Sequence, residues 1–130
     1  MKSFSMSALF AAAPEQIYCA WLDPDGHTAM TGAEAAGSGA VGGEFTAWDG
    51  YISAKTLELV PNRRIVQAWR TSEFSAEDPD SRLTVEFDPV EGGTRVTLHH
   101  SEIASGAENY QQGWEDYYFA PMRAHFGPTP

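Results

Sequence analysis

The sequence predicts an α+β fold in which a curved, six-stranded antiparallel sheet wraps around one long C-terminal helix, with two short helices after the first strand. Three observations predict it. Apolar and serine side chains alternate over residues 3–10, the period of a half-buried strand. Between residues 43 and 103, β-rich runs are separated by turn dipeptides at hairpin spacing. From Tyr110 to Phe126, large apolar side chains recur every four residues, the period of one helix face.

The first strand places Phe4, Met6, Ala8 and Phe10 on one face and Ser3, Ser5 and Ser7 on the other. This alternation argues against a secretory leader, which the alanines after Phe10 superficially imitate. Pro14 followed by Glu15 marks a helix start, with proline at the first helical position and an acid in the first turn. Ile17, Tyr18, Trp21 and Leu22 then fall at helical spacing, and Cys19 is expected inside as packing. Asp23 before Pro24 ends this helix and caps a second one that runs to Met30 or Thr31. Residues 32–43 hold five glycines and four alanines in twelve positions, and are expected to form a mobile connection with no packed element.

Five strands in succession are expected next. Asp49 and Gly50 suit the positive φ angles of a two-residue hairpin turn between Phe45–Trp48 and the strand from Tyr51 to Val60. Pro61 and Asn62 turn the chain into RIVQAWR. An acidic loop over Glu73–Asp80 leads to RLTVEFDPV, where Leu83, Val85 and Phe87 share a face, and Gly92 and Gly93 lead to a last strand with Val96, Leu98 and His100 on one face. Ser105 and Glu108 have capping-box spacing before the final helix. Tyr110, Trp114, Tyr118, Met122 and Phe126 form its main row, with Tyr117, Pro121 and His125 adjacent. About 21 residues at 1.5 Å rise span roughly 30 Å, enough to cross such a sheet. Within it, Gly113 is expected to let Trp114 seat closely on the sheet and Pro121 to bend the helix along the sheet's curve.

Composition bounds the function. The 130 residues make one domain (1–130), with 42% hydrophobic and 20% charged residues. Eighteen acidic against eight basic residues leave a net charge of −10, which repels nucleic-acid backbones and anionic membranes. Arg63, Arg64 and Arg70 are the only clustered cations, and a solvated hairpin end explains them. The single cysteine excludes an intramolecular disulfide and suits a reducing cytosol. No apolar run is long enough to span a membrane.

Taken together, PEQIYCAW, GGEFTAWDG, LELVPNRRIVQAWR and QGWEDYYFAPMRAHFG, in this order and spacing, resemble the activator of Hsp90 ATPase homologue family. The likeness is to its C-terminal domain type, within the START/Bet v 1-like SRPBCC superfamily, and covers Ser3 to Gly127. It implies a helix-grip fold and, in many relatives, a hydrophobic cavity between sheet and helix. In the eukaryotic namesake it implies stimulation of a chaperone ATPase, and in the wider superfamily binding of lipids, polyketides or aromatic compounds. Set against the namesake, a single domain is expected here, without its separate N-terminal domain.

The cavity-lining candidates are Trp48, Trp69, Phe87, Leu98, His100, Trp114 and Tyr118, for each of which plain core packing is the competing explanation. His100 shares the parity of Val96 and Leu98 and would offer a polar tip to a ligand carbonyl or hydroxyl. Arg70 would do the same for a carboxylate. His99 and His100 point to opposite faces, and His27 and His125 stand far apart, so neither a metal centre nor any cofactor is expected.

A non-enzymatic domain binding a small hydrophobic or aromatic ligand is the first expectation. The second is an interaction module for a protein partner such as a chaperone. The third is a cyclase- or hydrolase-like enzyme with His100 and a tyrosine as acid and base, which requires a polar pair in the pocket and a perturbed histidine.

Overall fold

In the computed structural model, which describes residues 1–127, the alternation of the N-terminal segment becomes β1 (Lys2–Phe10). The last three positions of the expected domain, 128–130, lie outside the described residues. α1 (Pro14–Leu22) has proline in its first turn, and the Gln16 side chain accepts the Ala13 N–H at 2.8 Å. α2 (Pro24–Thr31) starts on Asp23, whose carboxylate accepts the Gly26 N–H at 2.9 Å. That bond satisfies one orphan donor of the first turn. Asp23→Ala is expected to cost about 1 kcal/mol, read as a lower urea midpoint at unchanged slope.

The sheet has seven strands rather than six, all antiparallel, in the order β1-β7-β6-β5-β4-β3-β2. The addition is β2 (Ala36–Gly37), which pairs with β3 (Glu44–Ala47) from within the stretch expected to be mobile. Here the glycines serve close backbone approach. A Cβ on Gly37 would stand 2.2 Å from the Glu44 carbonyl oxygen, and one on Gly39 would stand 2.4 Å from that of Leu22. Only hydrogen fits at such distances.

β4 (Ile52–Val60), β5 (Arg64–Thr71), β6 (Ser81–Val90) and β7 (Gly93–Ile103) complete the meander. The β3–β4 connection is a tight turn in which the Tyr51 N–H donates to the Trp48 carbonyl at 3.1 Å, with Asp49 at φ 57° and Gly50 at φ 89°. These are the left-handed angles of a type I′ turn. A register shift between Thr56 and Glu58 adds local bend to β4.

The C-terminal helix is not a continuous α-helix. α3 (Ala107–Trp114) passes through a π turn (Glu115–Phe119) into α4 (Ala120–Phe126). In that turn the Ala120 N–H reaches the Glu115 carbonyl, five residues back. Pro121 supplies the reason, because it has no N–H and its ring crowds the carbonyl four residues before it, which wider winding relieves. So the proline acts through a π turn upstream of itself. The extra residue also brings Phe119, fully buried, into the row formed by Trp114, Tyr118 and Met122. The expected capping box is absent, since Gly106, at φ 80°, starts the helix at Ala107 with no side-chain cap and leaves Glu108 one position short.

The core lies between the concave face of the sheet and these helices. Phe10 of β1 meets Phe119 and Phe126 at ring distances of 5.9 and 6.4 Å, and Tyr18 of α1 meets Phe87 of β6 at 5.7 Å. Cys19 is exposed, against expectation. α1 buries Ile17, Tyr18 and Trp21, and a residue two positions after Ile17 lies about 200° around the helix from it.

Candidate functional site

Where the β3–β4 turn approaches α3 and the π turn, the side chains leave a cleft of about 330 Å³. Trp69, Trp114 and Tyr118 form its buried side, together with Ile52. Trp48, from the turn, packs edge-to-face on Tyr117 at 5.2 Å and forms the opposite lip. Tyr51 and Glu73 stand at the exposed mouth, with the Tyr51 hydroxyl donating to the Glu73 carboxylate. Burial, and then that bond, raise the Tyr51 phenol far above its ordinary value, so it stays a neutral donor.

The aromatic cluster continues inward. Trp69 contacts Tyr110 at 5.3 Å and Trp114 at 5.5 Å, while Trp114 contacts Tyr118 at 4.7 Å. Gly113 also lines the cleft, and a Cβ there would meet only the Tyr117 ring, at 3.9 Å. Its missing side chain therefore leaves space in the cleft instead of permitting close seating on the sheet.

Four of the expected lining residues, Trp48, Trp69, Trp114 and Tyr118, thus surround one cleft. Phe87, Leu98 and His100 do not reach it and are fully buried. Their parity is inward, but other side chains cover them: Tyr18 packs on Phe87, while Phe4, Trp69 and Trp114 surround His100 at 5.4, 4.6 and 5.9 Å. Leu98, flanked by Met6 and Val85 in register, belongs to the same filled layer. Arg70 also lies outside the cleft, its guanidinium held by Asp80 at 2.7 Å.

His100 sits in a relay whose donors are determined at every step. The Trp114 indole N–H donates to Nδ1 at 3.1 Å, so the ring proton is on Nε2. Nε2–H donates to Ser81 Oγ at 2.8 Å, and the Ser81 hydroxyl donates to the Trp69 carbonyl at 2.7 Å. Protonation of Nδ1 would oppose two N–H groups, and burial lowers the His100 pKa to about 4.

A second relay was not evident from sequence. His27, on α2, donates from Nδ1 to the Trp21 carbonyl at 2.8 Å and accepts the Tyr118 hydroxyl at Nε2, 2.7 Å away. Burial lowers the His27 pKa to about 4, against the opposing Trp21 bond, and raises that of Tyr118 far above its ordinary value. His27 and Tyr118 are 91 positions apart, and α2 has no apolar stripe that would have marked His27 as buried. Tyr51, Tyr110, Tyr117 and Glu73 were missed as lining residues too, although Tyr110 already belonged to the helix's main row.

On the outer face, Ser5 and Glu86 bracket His99 at 2.7 and 2.8 Å, but in an exposed array away from the cleft. Among the described residues, no group of three or more His, Cys, Asp or Glu side chains is placed to hold a metal ion, and no helix is long and apolar enough to cross a membrane.

Comparison with known proteins fits this architecture. The human activator of 90 kDa heat shock protein ATPase homolog 1 is 30% identical over 124 residues, which make up 95% of this chain but only 36% of that protein. The chain therefore spans about a third of the length of that curated relative. The crystal structure of an HSP90 activator from Plasmodium falciparum superposes with a TM-score of 0.88 at 26% identity, covering 100% of this chain and 99% of the other. The solution structure of the Aha1 dimer from Colwellia psychrerythraea, 22% identical with 98% of each chain covered, shares the fold at a TM-score of 0.80. The family model described as activator of Hsp90 ATPase homolog 1-like protein matches residues 11–127. With the model spanning strands β2 to β7 and the C-terminal helix, the chain belongs to the activator of Hsp90 ATPase homolog 1-like protein family.

Proposed function

We propose that this chain is a non-enzymatic binding domain that takes a small apolar or aromatic ligand into the cleft between the β3–β4 turn and the C-terminal helix. One observation carries this reading: aromatic side chains that fill the core elsewhere here leave about 330 Å³ of space open at one end. Pockets of this size and lining are typical of small-molecule sites. The two histidine relays favour binding over proton-transfer chemistry. Tyr118, which lines the cleft, is hydrogen-bonded to His27 behind it, a pair that combines a phenol held well above its usual pKa with an imidazole lowered to about 4. A general acid–base pair at neutral pH needs a group that titrates nearby.

Gly113→Leu tests the reading. The added side chain would enter the cleft, and replacing glycine inside a helix is expected to raise stability by about 0.5–1 kcal/mol. Native mass spectrometry should then find an apolar small molecule retained by the original protein and lost from the variant. Equal retention by both would exclude this cleft as the site.

A second reading, as a partner of an Hsp90-type chaperone, is favoured by the full-length likeness to the Plasmodium falciparum HSP90 activator. It is tested by adding the chain to an Hsp90 and measuring ATP turnover. A stimulated rate supports it, and an unchanged rate at saturating chain removes it.

A further inference from the structure

We propose that the cleft selects a positively charged organic ligand: an ammonium or quaternary ammonium head on a small apolar or aromatic body, with its charge among the rings and beside the Glu73 carboxylate. This rests on the cleft being a binding site and adds the sign of the ligand's charge.

Among the described residues, the lining contains one charged side chain, Glu73, and no lysine, arginine or histidine. The Tyr51 hydroxyl donates to Oε2 of Glu73, which holds the carboxylate at the mouth while preserving its charge. The nearby cation does not neutralise it. Arg70 donates to Asp80 at 2.7 Å and to the carbonyls of Ser75 and Asp78 at 3.1 and 3.3 Å, and lies over the Phe74 ring at 5.3 Å. Its charge is thereby committed to the acidic loop.

The rest of the lining suits a cation equally well. Three tryptophans (Trp48, Trp69, Trp114) and four tyrosines, Tyr118 among them, bring seven rings to one cleft. A cation within about 6 Å of such a ring is attracted by its quadrupole, most strongly by tryptophan. An anion would find no cationic side chain among the described lining residues, and apart from the unpartnered Trp48 indole N–H several of the polar tips are engaged with the protein itself. Tyr110 and Thr71 share a bond of 2.7 Å, Tyr118 is bound to His27, and the Trp114 N–H is bound to His100. The chain's net charge of −10 acts in the same direction at longer range.

Trp48 marks the lip as a built feature. Its backbone adopts φ 53°, a left-handed angle that is unfavourable for a bulky residue. Its indole N–H is buried without a hydrogen-bond partner among the described residues. Two local costs on one residue are maintained where the surrounding structure holds that ring in place, and such sites cluster at ligand clamps.

The test uses three probes of one shape: phenyltrimethylammonium, its uncharged isostere tert-butylbenzene, and the anion 4-tert-butylbenzoate. Each is titrated into the full chain while the indole N–H resonances are followed by NMR. The cation is expected to bind about 10-fold more tightly than the neutral isostere, and the anion more weakly than either. Glu73→Gln, which keeps an acceptor for Tyr51 at an exposed position, is expected to remove most of that preference and leave the affinity of tert-butylbenzene within about twofold. Equal binding of cation and isostere, unchanged in Glu73→Gln, would overturn the charge assignment while leaving the cleft a binding site. No response to any probe at millimolar concentration would overturn both.

Discussion

Trp114→Ala is expected to lower the unfolding free energy by about 4 kcal/mol, a large share of the roughly 5–15 kcal/mol that holds a domain of this size together. Two losses combine. The buried indole touches Trp21, Trp69, Tyr118 and His100, with ring distances from 4.7 to 6.2 Å, and truncation empties the middle of that cluster. The change also strips His100 Nδ1 of its only donor, and a buried acceptor without a partner costs about 1–3 kcal/mol. Trp114→Phe separates the two, since it keeps most of the packing and removes only the donor, and is expected to cost about 1–2 kcal/mol. Tyr117→Ala, at a position 57% exposed, serves as the control and is expected to change stability by less than about 0.5 kcal/mol. Urea unfolding at neutral pH reads all three. A loss below about 1.5 kcal/mol for Trp114→Ala would mean that the cluster is far more loosely packed than these distances require.

Acidification is expected to destabilise the protein in a defined window. His27 and His100 each have a native pKa lowered to about 4 from an ordinary 6.5, chiefly by burial. Between those values the unfolded chain binds two protons that the native state refuses. Stability therefore falls as the pH drops from about 6.5 to 4, and this contribution levels off below that range. A shift of this size is worth about 3 kcal/mol per histidine as an order of magnitude. The direct measurement is the titration of the imidazole C–H resonances. At pH 5.5, where a free histidine is mostly protonated, both buried rings should still be neutral. Urea midpoints should fall over the same interval, and replacing either histidine with asparagine should flatten the slope by roughly half. If either ring titrates near 6.5, its burial is not maintained in solution.

What was legible in the sequence was governed by near neighbours. The turns at Asp49–Gly50 and at Pro61–Asn62 are local backbone chemistry, and both form, with Asn62 at φ 62°. Side-chain alternation set the inward parity of Val96, Leu98 and His100, all of which are fully buried. The four-residue step from Tyr110 to Met122 located the helix face on which the cleft is built. What was not legible depends on matter far along the chain, or on the absence of a side chain. β2 forms because glycines at 37 and 39 allow backbones to touch, and a missing Cβ leaves no mark in a hydrophobic pattern. The His27–Tyr118 bond joins two elements that no periodicity connects. Parity shows which side of a sheet a residue faces, but not how high the opposing layer stands. That is why Trp69 reaches open space while His100, in the same cluster, does not.

The π turn between Trp114 and Ala120 has a further consequence, which concerns counting. One surplus residue in a helix sets everything downstream back by about 100°, so a helical wheel drawn through the segment mislabels one of its halves. With that offset, the fully buried Met122 lies closer to the direction of Trp114 than an unbroken helix would put it. Deleting the outward-facing Asp116 would remove that surplus residue, leaving a shorter, regularly wound helix with every apolar residue retained and Phe126 still turned toward Phe10. Along this helix, correspondence with any relative that lacks the π turn is a matter of phase, and holds across the break only once a gap of one residue is allowed.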